Sequence, residues 1–206
     1  MAHSTNVATN GRASVVLLGH SYINRLQFHA HRSARTFQFS DIDIHYICEG
    51  GLTLRPRSTR SRHNFRRRYC SIRDCIQDVV ACAPSAVIVH IGENDLKCMP
   101  AREIISEILL LHTDLTHFCN CRVYITQLLT WPSHSPATIS DITEINCHLR
   151  RTLPKYQFYC HRRSFTAGVK CSVMYNPDRA HLNHTGMSQY FSSIRALVAR
   201  AVRHIC

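Results

Sequence analysis

Two stretches of the chain are apolar over a length that suits a strand and little else: Ser14-Val15-Val16-Leu17-Leu18-Gly19 and Ala86-Val87-Ile88-Val89-His90-Ile91-Gly92. Runs without polar alternation are what a strand covered on both faces requires. Arg122 to Leu128 reads the same way. Thr36 to Cys48 alternates in part, through Phe37, Phe39, Ile42, Ile44 and Tyr46, and predicts a strand with a turn at Ser40-Asp41. Tyr156 to Cys160 predicts a last strand. Helical spacing fills the intervals: Ile23 and Leu26 after Ser21; Cys70 to Cys82 with Ile72, Cys75, Ile76 and Val79 on one face, stopped by Pro84; Ala101 to Phe118; Ile139 to Leu153; and Met187 to Val202. Strands alternating with helices, with no hairpin signals and no internal repeat, predict an α/β fold in which a parallel sheet lies between helices.

Length and composition narrow the setting. The 206 residues suit one domain, here 13–206, behind a polar arm, 1–12, expected to be disordered. No apolar run approaches the roughly 20 residues of a spanning helix, and the first residues lack the basic-then-apolar layout of a secretory signal. Eleven cysteines, an odd number, then point to reduced thiols and an intracellular, cytoplasmic setting rather than to a disulfide framework. Cys75, Cys82, Cys147 and Cys160 fall in regular segments and are expected to pack as small apolar groups. The net charge of +12 is local: Arg55 to Arg68 holds seven arginines and no acid. This basic insertion, 55–68, lacks periodicity and suits a solvated loop or a contact with nucleic acid or another polyanion, with Arg60, Arg62, Arg66, Arg67 and Arg68 as the candidate residues.

The polar residues that carry chemistry follow the predicted carboxyl ends of strands. Ser21 stands at a strand-to-helix turn, as a helix cap or as a nucleophile. Glu49-Gly50-Gly51-Leu52-Thr53 is either plain loop or a place where glycine lets backbone approach a ligand. Glu93-Asn94-Asp95 follows the second apolar strand, as a turn or as a ligand-facing segment. Asp178 and His181 lie three positions apart on the loop before the last helix, where a carboxylate can fix the tautomer of an imidazole base. In a parallel sheet one edge gathers all four places into a single cleft. Together they supply a hydroxyl, a base with its orienting acid, and donors for an oxyanion: the Asn94 side chain and the backbone N–H groups of Gly51 and Ser21. No metal is expected, since His181 and His184 at i, i+3 have no glutamate nearby and Cys119 and Cys121 have no second pair.

Gly-His-Ser near the N-terminus, Gly-Gly-Leu-Thr, Gly-Glu-Asn-Asp, and Asp-Arg-Ala-His near the C-terminus resemble, in order and spacing, the four blocks of the SGNH (GDSL-type) hydrolases. The resemblance runs from about Val15 to Val202. It implies a three-layer α/β/α, flavodoxin-like fold with about five parallel strands. It also implies Ser21 as nucleophile, His181 as base, Asp178 as its partner, and an oxyanion hole of Ser21, Gly51 and Asn94. Hydrolysis of a carboxylic ester carrying an acetyl or other short acyl group, with no cofactor, is the activity implied. An α/β-hydrolase elbow is excluded because Ile23 stands where Gly-x-Ser-x-Gly needs its second glycine. Gly-His-Ser-Tyr resembles more loosely the SGNH domains of animal proteins and of open reading frames in mobile elements. His20 replaces the family's usual Asp and is expected to shape the first turn more than to move protons, because neighbouring side chains diverge. The rival readings are a catalytically silent SGNH domain that binds an acylated or anionic partner, and a nucleic-acid-binding protein on a borrowed fold. Oligomeric state is left open.

Overall fold

The apolar runs lie side by side as the interior strands of one sheet. In the computed structural model the described residues are 12–32, 37, 39–56, 68–161 and 173–203. Strands β1 (Ala13–Gly19), β2 (Ile42–Cys48), β3 (Ala86–His90), β4 (Arg122–Thr126) and β5 (Phe158–Tyr159) are ordered β2-β1-β3-β4-β5. Every pairing is parallel, with Leu17 opposite both Tyr46 and Ile88. This is the flavodoxin-like order, and it places a crevice at the carboxyl ends of β1 and β3, where the chain winds away in opposite directions.

Among the described residues five helices cover the sheet: α1 (Ser21–Arg32), α2 (Ile76–Ala81), α3 (Ala101–Cys119), α4 (Pro136–Thr152) and α5 (His184–Arg203). Alternation along the strands divides the core. Val16, Leu18, Val87, Val89, Val123 and Ile125 pack against α2, α3 and α4. Val15, Leu17, Ala86, Ile88 and Tyr124 face α1 and α5, which contribute Ile23, Leu26, Tyr190, Ile194 and Leu197. Both faces are sealed, which is why β1 and β3 read as continuous apolar runs. Each such buried side chain contributes about 1.5–3 kcal/mol. Helix ends follow the local chemistry. Ser135 caps α4 by accepting from Thr138 N at 3.1 Å, with Pro136 in the first turn, and Asn120 closes α3 in the left-handed region at φ 47°.

Several predicted boundaries are corrected. Of the predicted stretch 36–48, the described residues are strand from Ile42 to Cys48: Ser40-Asp41 is the turn, and Phe37 sits in the core outside the ladder, while Thr36 and Gln38 lie outside the described residues. Cys70 to Cys82 is a 3-10 turn (Ile72–Cys75) followed by α2, because the Asp74 carboxylate ties the backbone N–H groups of Cys70 and Ser71 into a tight start. The last strand shrinks to Phe158–Tyr159. Cys75 is buried as expected and Cys82 partly so, but Cys147 and Cys160 are exposed, one on the outer side of α4 and one just past β5. All nine described cysteines are free thiols. Arg12 is held by Ser40 O and Asp43, while the rest of the N-terminal arm lies outside the described residues. Among the described residues no helix is long and apolar enough to cross a membrane.

Candidate active site

The site is assembled at the carboxyl edge of the sheet. β1 and β3 come so close there that a Cβ on Gly19 would lie 2.3 Å from the His90 carbonyl oxygen, so no other residue fits. The next residue, His20, donates its backbone N–H to that same carbonyl at 3.3 Å. α1 begins at once with Ser21. The His20 carbonyl takes the first helical bond, from Asn24 N at 3.1 Å, and no α1 backbone N–H donates to the Ser21 hydroxyl.

The loop before α5 carries the second part. Asn176 N donates to His181 O at 2.7 Å and the Asn176 side chain to Leu182 O at 3.1 Å, closing residues 176–182 into a compact turn. The Tyr22 hydroxyl donates to Ala180 O at 3.1 Å, fastening this loop to the start of α1. Within it, His181 Nδ1 meets Asp178 Oδ2 at 2.8 Å, and Asp178 Oδ1 accepts from the backbone of His181 at 2.9 Å and Ala180 at 3.0 Å. These bonds, the backbone N–H of His181 first, bring the Asp178 carboxyl down to about 2. An ionised Asp178 fixes the proton of His181 on Nδ1, so Nε2 is the basic nitrogen. The pair is open to solvent: the two side chains are 33% and 48% exposed.

Gly51 and Asn94 are held together by a third set of bonds. Gly51 takes φ 78°, the left-handed region that favours glycine. Asn94 Nδ2 donates to Leu52 O at 2.9 Å, and both carboxylate oxygens of buried Asp95 accept from Leu54 N, at 3.1 and 3.2 Å. The loop after β2 is therefore pinned to the loop after β3.

One group in the site was not singled out from the sequence. Glu93 is buried between two imidazoles: His20 Nε2 at 2.7 Å from Oε2 and His90 Nε2 at 2.8 Å from Oε1, with Leu129 N also donating at 2.9 Å. Burial alone would raise this carboxyl, but His90 and His20 outweigh it and hold it well below the usual range. His90 is lowered, chiefly by burial, so the ring is neutral. Ionised Glu93 can only accept, which puts the ring proton of His90 on Nε2; Nδ1 lies 2.9 Å from the Tyr190 hydroxyl, kept protonated by burial, and 2.8 Å from the Thr126 hydroxyl. The available signals were a polar residue ending an apolar strand at His90 and the His20 departure from the family pattern. The expectation that the His20 and Ser21 side chains diverge is corrected. His20 Nδ1 is 3.3 Å from Ser21 Oγ, so the two neighbouring side chains converge.

Among the described residues, His20, His90 and Glu93 form the group whose donor atoms, all within 4.8 Å of one another, are spaced as metal ligands can be. Each of those atoms is engaged in the imidazole–carboxylate bonds just described. Arg60, Arg62, Arg66 and Arg67 lie outside the described residues. The ends of the basic insertion are neutralised: Arg55 pairs with Glu103 and Glu107, and Arg68 with Asp78 at 2.8 Å. A cavity of about 580 Å³ opens beside Leu182, between α1 and the start of α5, lined in part by Arg25, Phe28, Arg32, His184 and Met187.

No protein-family model matches the sequence, and no curated protein does. Solved structures do share the fold. A carbohydrate esterase family 3 protein from Talaromyces cellulolyticus superposes with a TM-score of 0.65 at 13% identity, covering 94% of this chain and 100% of that one. A lipase/acylhydrolase from Enterococcus faecalis gives 0.66 at 12% identity, over 90% and 95% of the two chains. A member of the lipolytic G-D-S-L family from Veillonella parvula gives 0.62 at 11%, over 90% and 96%. At these identities the likeness establishes the three-layer α/β/α architecture of the SGNH hydrolases, over nearly the whole of each chain.

Proposed function

We propose that the protein is an SGNH-type serine hydrolase that cleaves a carboxylic ester with an acetyl or other short acyl group. The observation that carries this reading is the Asp178–His181 pair, with Nδ1 fixed at 2.8 Å, on a loop fastened to the first turn of α1, where Ser21 stands. Ser21 Oγ attacks the ester carbonyl carbon, and a base takes its proton. His181 Nε2 is the acid and base on the solvent side, with Asp178 supporting the imidazolium. The backbone N–H groups of Ser21 and Gly51 and the Asn94 side chain receive the oxyanion. Water then releases the acyl group by the reverse transfers. The esterase, lipase and acylhydrolase names of the structural neighbours support ester hydrolysis in general.

A fluorophosphonate probe tests the reading. The native protein labels covalently, and Ser21→Ala does not. A folded protein that never labels sinks the hydrolase and favours the silent binding domain. The polyanion contact through 55–68 is a separate proposal that rests on charge density alone. Changing Arg60, Arg62, Arg66, Arg67 and Arg68 to Ser removes salt-sensitive binding to heparin or single-stranded nucleic acid, and binding with an unchanged salt slope refutes it.

A further inference from the structure

The Ser21 hydroxyl has its hydrogen-bond partner at Nδ1 of His20, 3.3 Å away, and the opposite nitrogen of that ring meets Glu93 at 2.7 Å. Both side chains of the imidazole–carboxylate pair are at 0% exposure. Glu93 is ionised and can only accept, so the ring proton sits on Nε2 and the Nδ1 lone pair is presented to Oγ. Hydroxyl, imidazole and carboxylate thus form a chain of the kind that activates a nucleophile. His181 and Asp178 repeat the imidazole–carboxylate part from an exposed loop. The two rings differ in what they can reach. A fully buried His20 can hold a proton from Oγ but cannot deliver it to an alcohol leaving into the cleft, whereas His181 can.

Building on the serine-hydrolase reading above, we propose that His20 is a second base for Ser21, taking the hydroxyl proton inside the core while His181 serves the leaving group. As Oγ bonds to the carbonyl carbon, the O–H bond breaks and its proton passes to His20 Nδ1. The carbonyl π pair moves to oxygen, and the imidazolium is paired with Glu93. Collapse restores the C=O bond and breaks the bond to the alcohol oxygen, which takes its proton from His181 Nε2, the exposed ring having first picked that proton up from solvent. In deacylation water gives a proton to His181, and the departing Oγ recovers its own from His20. A leaving group stable as an anion, such as fluoride or p-nitrophenolate, needs nothing from His181.

The experiment compares His181→Ala with the native protein on a fluorophosphonate, on the p-nitrophenol burst from p-nitrophenyl acetate, and on ethyl acetate. His181 is on an exposed loop, so the variant folds. Labelling and burst rates fall by about 10- to 100-fold at most and stay well above Ser21→Ala, while ethyl acetate turnover falls at least about 100-fold further, the usual scale of a lost general acid. Adding Glu93→Gln or His20→Asn to His181→Ala, each checked by near-ultraviolet circular dichroism, brings labelling down to the Ser21→Ala level. Labelling of His181→Ala no faster than Ser21→Ala overturns the proposal and leaves the hydrolase standing. So does labelling that survives both double variants. A native protein that never labels overturns both.

Discussion

Two imidazole–carboxylate pairs, one in contact with Ser21 and one on the loop fastened to the start of α1, have nearly the same bond length and opposite surroundings. His20–Glu93 is 2.7 Å long and sealed in the core beside His90; His181–Asp178 is 2.8 Å long and open to water. In the core the carboxylate is kept ionised by its two rings against the pull of burial. On the loop it is kept ionised mainly by the backbone N–H groups of His181 and Ala180, with the His181 side chain adding to them. A buried pair resists removal of either partner, because the survivor is left unpaired in a low dielectric. An exposed pair contributes little to stability but can exchange protons with substrate and water. The same pairing is therefore costly to break in one place and cheap to break, but open to exchange with water, in the other.

The largest expected effect separates the two carboxylates. Glu93→Ala orphans His20, His90 and Leu129 N, and is expected to cost about 3–5 kcal/mol. Asp178→Ala breaks half-exposed bonds and is expected to cost about 1 kcal/mol. Urea unfolding of the two variants measures this directly, and equal losses would end the distinction between the buried and the exposed pair.

Next come neighbours in sequence. Glu93 points into the core, whereas Asn94 reaches the Leu52 carbonyl at the cleft. Asn94→Ala should lower kcat on an aryl acetate by about 100- to 1000-fold, the usual loss for one oxyanion donor, with the unfolding midpoint almost unmoved. A change below about threefold removes Asn94 from the hole.

Much of this was legible in one dimension. Interior strands announce themselves because both faces are apolar, as at Val15 to Leu18 and Val87 to Val89. The four polar blocks stand out because they interrupt that pattern at strand ends. Glu93 was passed over because sequence order gives no sign of which residue of Glu93-Asn94-Asp95 turns inward; that depends on His20 and His90, which are 73 and 3 positions away. The convergence of His20 on Ser21 was missed for a related reason. Divergence of neighbouring side chains holds along a regular strand or helix, but these two residues straddle the end of one and the start of the other. The two-residue β5 pairs only Phe158 and Tyr159 with β4, so the apolar stretch around it overstated its length.

A smaller effect follows from pH. Burial, with His90 adding to it, lowers His161 from 6.5 to about 3, and its Nδ1 lies 2.9 Å from Ser193 Oγ. Above pH 6.5 the ring is neutral in both states and contributes nothing to the slope. As pH falls from there towards 3, only the unfolded chain takes up the proton, so stability drops by up to about 1.4 kcal/mol per pH unit for this group. His90 acts in the same sense. Asp178 behaves differently: its contribution is present above 3.8 and is lost only as pH falls towards 2. Unfolding free energies at several pH values should therefore decline less steeply below 6.5 in His161→Gln, while Asp178→Ala keeps the native slope there. An unchanged slope in His161→Gln shows that the ring is protonated in the folded state.

The smallest expected effect is none at all. His20, His90 and Glu93 are spaced as metal ligands can be, but zinc needs the ring nitrogens that now carry protons. Binding through His90 Nε2 moves its proton to Nδ1, where the Tyr190 and Thr126 hydroxyls must rearrange to accept it. Binding through His20 Nε2 likewise turns Nδ1 from an acceptor of the Ser21 proton into a donor. Two reversed tautomers and a stripped carboxylate oppose the metal in a core with no solvent to compensate. A ligand present at a hundred times its Kd stabilises by about 2.7 kcal/mol, which for a domain of this size raises Tm by roughly 5–10 °C. Melting with saturating zinc, or after exhaustive chelation, should shift Tm by less than about 1 °C, and fluorophosphonate labelling should keep its rate. A rise of several degrees that disappears in Glu93→Gln would make the buried cluster a metal centre, and would leave His181–Asp178 as the pair that handles the Ser21 proton.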